Sequence, residues 1–462
     1  MMRLKGALAA AIVTALVMGA AAQRPQLAAG VRDYVKVDAA VVALTHARVI
    51  DGTGAAARED QTVILRDGRI AELGASSSVA APAGATVIDL TGKSVIPGLV
   101  MVHEHLFYPT GPQVYGQLGQ SFTRLYLAGG VTTMRTGGNL NGFMDLNLKR
   151  AIDATAPYLN GPIPLLQLYV LKDVEDARRH VAYWAGVGAT SFKAYMSITR
   201  AQLAAAIDEA HARGLKITGH LCSVTYAEAA DLGIDNLEHG FTASTDFVAD
   251  KQPDVCPGQG PQAFDAIDEH SPAFKALVQK LIDRKVTLTS TLTVLETFTP
   301  GRPLPPGLDV LTPQLKEQFE QAFARTAQNM KADSIRRFPK AMALERAFVK
   351  AGGRLIAGTD PTGGGGVIPG FSNHRQLELL VEAGFSPLEA ITIGTLNGAS
   401  YLGREATIGS IAVGKQADLV VVNGNPAATI ADVRQVETVF RQGIGYDPVK
   451  LIESVKGRVG LW

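Results

Sequence analysis

Two histidines one residue apart, His103 and His105, close the apolar run VIPGLVMVHEHL from Val95 to Leu106. Imidazole is the commonest metal ligand, and residues i and i+2 of a strand point the same way. Read as a buried strand, the run brings both rings to one point at its C-terminal end while Glu104 faces away. Four further residues end short apolar segments: Lys193 in TSFKAY, His220 in KITGH, His239 in DNLEHG and Asp360 in AGTD. Nitrogen and oxygen donors without thiolate suit zinc first, with manganese, cobalt or iron as alternatives. A lysine in a buried strand is costly unless its charge is paired or removed. Its neighbours offer no obvious carboxylate, which leaves an ammonium that snorkels to the strand end or a chemically altered amine. Each residue also has a bland reading: a satisfied core histidine, or for Asp360 a turn residue before the glycines Gly363 to Gly366.

These residues need elements that aim them at one point. Eight candidate strands alternate with helical patterns: Leu99 to Val102, Val131 to Arg135, Leu165 to Val170, Thr190 to Tyr195, Lys216 to His220, Asn236 to Glu238, Val286 to Thr291 and Leu355 to Gly358. Helical patterns include Arg200 to Arg213, Tyr226 to Leu232, and Gln314 to Lys350 with an interruption near Pro339. The alternation predicts an α/β fold, a (β/α)8 TIM barrel whose active site lies at the C-terminal strand ends. Residues 38–95 and 401–445 read instead as short strands with turn punctuation, including the hairpin signal Asp67-Gly68. Together they predict a small β-sandwich built from both chain ends, with residues 96–400 as the barrel between them. Pro97 and Gly98 mark the entry to the barrel.

PGLVMVHEHL, followed by the downstream lysine, two histidines and aspartate, resembles the amidohydrolase superfamily of metal-dependent hydrolases over roughly residues 38 to 445. The imidazolonepropionase-like and Xaa-Pro dipeptidase-like branch is the most similar. The resemblance implies two divalent metal ions. His103, His105 and Asp360 would bind one and His220 and His239 the other, with Lys193, carboxylated by CO2, bridging both. It further implies that a metal-bridging hydroxide attacks an amide carbonyl while Asp360 shuttles the proton. The expected substrate is a dipeptide or N-acyl amino acid. Tyr195, on the face of Lys193, and Tyr226 are candidates to support the reaction, and His374 is a weaker one. Arg302, in the Pro-rich segment Pro300 to Pro306, could hold a substrate carboxylate, and that segment and Phe241 to Ser271 could act as lids. Open alternatives are a cyclic-amide hydrolase, lactonase or esterase with the same binuclear centre, a mononuclear deaminase, and a non-catalytic metal-binding barrel.

The rest of the chain sets the context. Arg3 and Lys5, the apolar run Ala7 to Met18 and Ala20-Ala21-Ala22 predict a signal peptide over residues 1–22. Export to a periplasm or beyond follows. The leader's apolar core is short for a bilayer span, so no stable membrane insertion is expected after cleavage. With 44 Lys plus Arg against 43 Asp plus Glu, no global charge steers the protein to nucleic acid, and a small molecule is the expected partner. Barrel hydrolases of this kind commonly associate, so a homo-oligomer of undetermined number is a further expectation. The two cysteines, Cys222 and Cys256, lack a zinc-binding spacing. In an oxidising compartment a disulfide and a free, buried Cys222 both remain open.

Overall fold

The computed structural model describes residues 27–111, 114–139, 142–155, 170–257, 260–328 and 332–460. The predicted leader, and all but the last residue of the strand predicted at 165–170, lie outside them.

The chain builds a TIM-barrel-type α/β domain and a second domain of β-strands. Strands Leu99–Glu104 and Val131–Thr136 pair in parallel. Strands Ser191–Ala194, Lys216–Gly219, Asn236–Leu237, Thr287–Ser290 and Leu355–Ala357 form a second parallel sheet in that order. The last strand returns to the first, since the Thr359 and Asp360 amides both donate to the His103 carbonyl, at 3.1 and 3.0 Å. That approach needs glycine: a Cβ at Gly358 would lie 2.4 Å from the His103 Cβ. All four residues of Ser191–Ala194 and of Thr287–Ser290 are buried, as expected of parallel strands covered on both faces.

Helices between the strands start and stop where their caps say. Thr199 with Gln202 and Thr225 with Glu228 form capping boxes at the heads of Arg200–Ala212 and Tyr226–Leu232. Left-handed Gly233 closes the second helix. Pro339 corrects the expectation of a break there, because helix Ala332–Lys350 runs through it. Proline removes one backbone donor and crowds the preceding turn. Phe338, Ala341, Met342, Leu344 and Phe348 are buried on either side, so packing carries the helix across that local fault.

Strands from both chain ends form one nine-stranded hydrogen-bonded network. The cause is Val41–Val49, long enough to pair in parallel with Thr86–Asp89 over its first half and with Ser94–Pro97 near its end. Val35–Val37 joins this sheet beside Ile444–Tyr446, and helix Pro448–Glu453 follows. The domain therefore draws on residues on both sides of 38–445. Asp67-Gly68 turns the hairpin between Arg58–Arg66 and Arg69–Ala75. At Gly98 the chain leaves this sheet for the barrel, and a Cβ there would lie 2.2 Å from the Thr132 side chain.

Candidate metal centre

His103 lies in its strand, and His105, Lys193, His220, His239 and Asp360 lie at or just beyond strand ends, so the architecture brings all six to one end of the barrel. His105 Nε2 is 3.1 Å and His103 Nε2 3.7 Å from the Asp360 carboxylate. Lys193 Nζ is 3.2 Å from His103 Nε2, and the His220 and His239 rings stand 4.5 Å apart. His103, His239 and Asp360 offer donor atoms within 4.8 Å of one another. Both His239 and Asp360 adopt left-handed backbone, with φ of 64° and 56°. Such strained conformations in non-glycine residues cluster at functional sites.

The outer nitrogens of three rings are held from behind. His103 Nδ1 meets Glu238 at 2.7 Å, His105 Nδ1 the Gly138 carbonyl at 2.9 Å, and His239 Nδ1 the Thr291 hydroxyl at 2.7 Å. Each contact leaves Nε2 facing inward, the arrangement that orients a metal-ligating imidazole. The His239 Nε2 atom is buried with no hydrogen-bond partner. An orphaned ring nitrogen in a polar cluster is what a metal would satisfy.

Electrostatics favour donors with open lone pairs. Burial, with the nearby Lys193 charge, pushes the His103 imidazole down to about 4. Burial and the His103 charge push His239 down to about 3. Burial, then the charges of His239 and Lys193, hold His220 well below its ordinary value. For Asp360 burial acts upward, but His103 and His105 outweigh it and keep the carboxylate ionised. Burial lowers the Lys193 amine as well, and no salt bridge to an acid compensates it among the described residues.

The cluster opens into a cavity of about 500 Å³ that Tyr195, Phe107, Tyr115, Met196 and Phe298 help to line. Tyr195 thus faces the site, its ring 4.8 Å from that of His220. Tyr226 corrects the expectation of a supporting catalytic role. It is fully buried, and its hydroxyl is shared between the carbonyls of Glu238 and Gly240 at 3.1 and 3.0 Å. Six residues after His220 it lies in a helix, off the strand face that sets the site. His374 is likewise directed elsewhere, its Nε2 at 2.8 Å from the Gly129 carbonyl. Arg302 does not line the cavity; it pairs with Glu296 and, through both terminal nitrogens, with Glu382 at 2.6 and 2.7 Å. A bidentate partner within the protein removes it as an anchor for a substrate carboxylate.

Several supporting residues lacked a sequence signal of their own. Arg135 donates to Glu238 at 2.5 Å and to the Tyr401 hydroxyl at 3.0 Å, and Thr218 donates to Glu238 at 2.6 Å. An arginine in the apolar strand VTTMRT must be paired, which was the available clue, but the partner lies 103 positions away. Cys222 and Cys256 form a disulfide, and Cys222 borders the cavity.

Comparison with known proteins agrees with this geometry. The Amidohydrolase family profile matches residues 269–445. The imidazolonepropionase of Mycolicibacterium smegmatis is 28% identical over 83% of this chain and 90% of its own. A solved structure from Bifidobacterium longum, provisionally described as a prolidase, is 27% identical at a TM-score of 0.63, covering 88% of this chain and 94% of that one. A Xaa-Pro dipeptidase structure with bound methionine superposes at a TM-score of 0.66, covering 88% and 100%, with 18% identity that speaks to fold alone. The match of residues 269–445 to the Amidohydrolase family, with the likeness to an imidazolonepropionase over most of the chain, supports the amidohydrolase superfamily. The chain is a hydrolase acting on carbon–nitrogen bonds.

Proposed function

We propose that this protein is an exported amidohydrolase that uses two divalent metal ions to hydrolyse an amide bond. The observation that carries the reading is the convergence of four histidines, Asp360 and a buried lysine without a salt bridge at one end of the barrel, five of these six lining one cavity. His103, His105 and Asp360 would hold one metal, and His220 and His239 the other. A neutral amine is the form that reacts with CO2, and burial favours that form of Lys193. Carboxylation would turn it into an anionic bridge, removing the cost of a buried cation. Zinc suits the donor set first. Bound metal supplies Lewis acidity and acidifies water to a pKa near about 7.

The remaining work falls to the chain. Asp360, ionised and open to the cavity, accepts the nucleophile's proton and returns it to the leaving amine. The Thr362 hydroxyl donates to its Oδ1 at 2.8 Å and helps fix its orientation. Glu238, the Gly138 carbonyl and Thr291 fix the ring orientations. The apolar cavity walls reduce the water around the reacting carbonyl. Export is supported by the predicted leader and by the Cys222–Cys256 disulfide.

Metal content per chain tests the centre. Protein purified with zinc and bicarbonate should carry close to two ions, and Lys193→Ala should carry at most one while amide turnover falls by about 100-fold or more. Unchanged metal content and turnover in Lys193→Ala would overturn the bridged centre.

A further inference from the structure

Beside the metal-facing residues, the cavity wall is apolar and aromatic: Phe107, Tyr115, Met196, Leu221, Val294 and Phe298. Lys193 is the one lysine or arginine that lines it among the described residues, and carboxylation would make that residue an anion. Residues 156–169 contain no lysine, arginine or histidine.

Three hydroxyls of the wall are engaged as well. Thr242 donates to the His239 carbonyl at 2.7 Å, Ser244 to Asp246 at 2.8 Å, and Thr245 to the Cys222 carbonyl at 3.0 Å. A hydroxyl has a single proton to donate, so these three have none for an anion. Of the basic groups on flanking segments, Arg302 is held by Glu296 and Glu382, Arg200 pairs with Glu228 and Asp254, and Lys251 is not among the residues that line the cavity. A carboxylate brought against this wall, away from the metal positions, would lose its hydration without gaining a charged partner among the described residues, and that burial is costly. An apolar or aromatic group would gain from the same surface.

Resting on the amide-hydrolase reading, we propose that the substrate carries no free carboxylate. It is a neutral amide, carbamate or urea with an apolar or aromatic group beside the scissile bond. This narrows the function away from dipeptides and N-acyl amino acids, because the described wall away from the metal positions supplies no cation for their carboxylate.

Two matched pairs test it on the zinc-loaded full-length protein: N-benzoyl-phenylalanine against N-benzoyl-2-phenylethylamine, and N-benzoylglycine against N-methylbenzamide. Each pair differs only by the carboxylate. The neutral member should have at least a tenfold higher kcat/KM in both pairs. Phe298→Arg, at a half-exposed position on the cavity wall, should shrink that ratio by adding a cation. Equal or greater kcat/KM for the carboxylates would overturn this proposal while leaving amide hydrolysis standing. Absence of hydrolysis of all four compounds by protein shown to carry metal would count against the hydrolytic reading, and this one would fall with it.

Discussion

Two fully buried glutamates stand beside metal-facing histidines, and their surroundings push them to opposite charge states. Glu238, next to His239, meets His103, Arg135 and Thr218. Burial alone would raise its pKa, but His103 and the Arg135 charge hold it well below the usual value. Glu104, between His103 and His105, meets only neutral groups: Thr359 at 2.5 Å, Tyr126 at 2.9 Å and Asn373 at 3.0 Å. Burial pushes it up to about 8 despite those hydrogen bonds. A protonated Glu104 can donate to the Tyr126 hydroxyl, which lies 3.1 Å from the His105 carbonyl. The same side chain at similar depth thus becomes a charged clamp in one place and a neutral link in the other. The difference teaches that a cation within reach, not depth, decides the role.

Breaking the clamp should have the largest effect. Glu238→Ala strands the buried Arg135 and frees His103, which should cost about 3–5 kcal/mol of stability and about 10–100-fold in metal affinity. Denaturant unfolding and zinc titration of the same preparation would check both. Arg135→Met should cost less, about 2–3 kcal/mol, since His103 remains to meet Glu238. A double variant, Arg135→Met with Glu238→Leu, should be milder than the sum of the single changes, because no buried charge is left alone.

On the other side of the pair, Tyr126→Phe should cost about 1–2 kcal/mol by removing the link between Glu104 and the His105 carbonyl. Glu104→Gln should change stability least, by about 1 kcal/mol or less at pH 5, because it replaces one neutral group with another. Its signature is in the pH dependence. The folded pKa of about 8 lies above the ordinary glutamate value of 4.5, so the folded state binds the extra proton between those values. Glu104 therefore makes wild-type stability fall as pH rises from about 4.5 to about 8. In metal-free protein, Glu104→Gln should flatten that fall relative to wild type, measured by unfolding at pH 5, 6.5 and 8. Parallel curves would show Glu104 to be ionised throughout.

Legibility in the sequence followed the range of the interactions. The alternation that separates His103 and His105 from Glu104 and the hairpin at Asp67-Gly68 are local patterns, and the folded chain carries them as read. Tyr195 was legible for the same reason, being two residues from Lys193 on a strand. Tyr226 and Pro339 were not, because spacing from a ligand does not carry through a helix, and neighbouring buried residues outweighed the proline. Arg302 looked available because its acidic partner Glu382 is 80 positions away.

The sequence by itself placed the candidate donors at or near strand ends, since side-chain direction on a strand follows from chain geometry. Only the tertiary structure decided which glutamate is charged, which tyrosine meets the cavity, and that no described cation except Lys193 lines its wall. Those properties depend on neighbours brought together over long separations, 103 positions for Arg135 and Glu238 and 269 for Glu104 and Asn373. Burial then amplifies each such contact, because a charge removed from water depends on whichever partner the fold supplies.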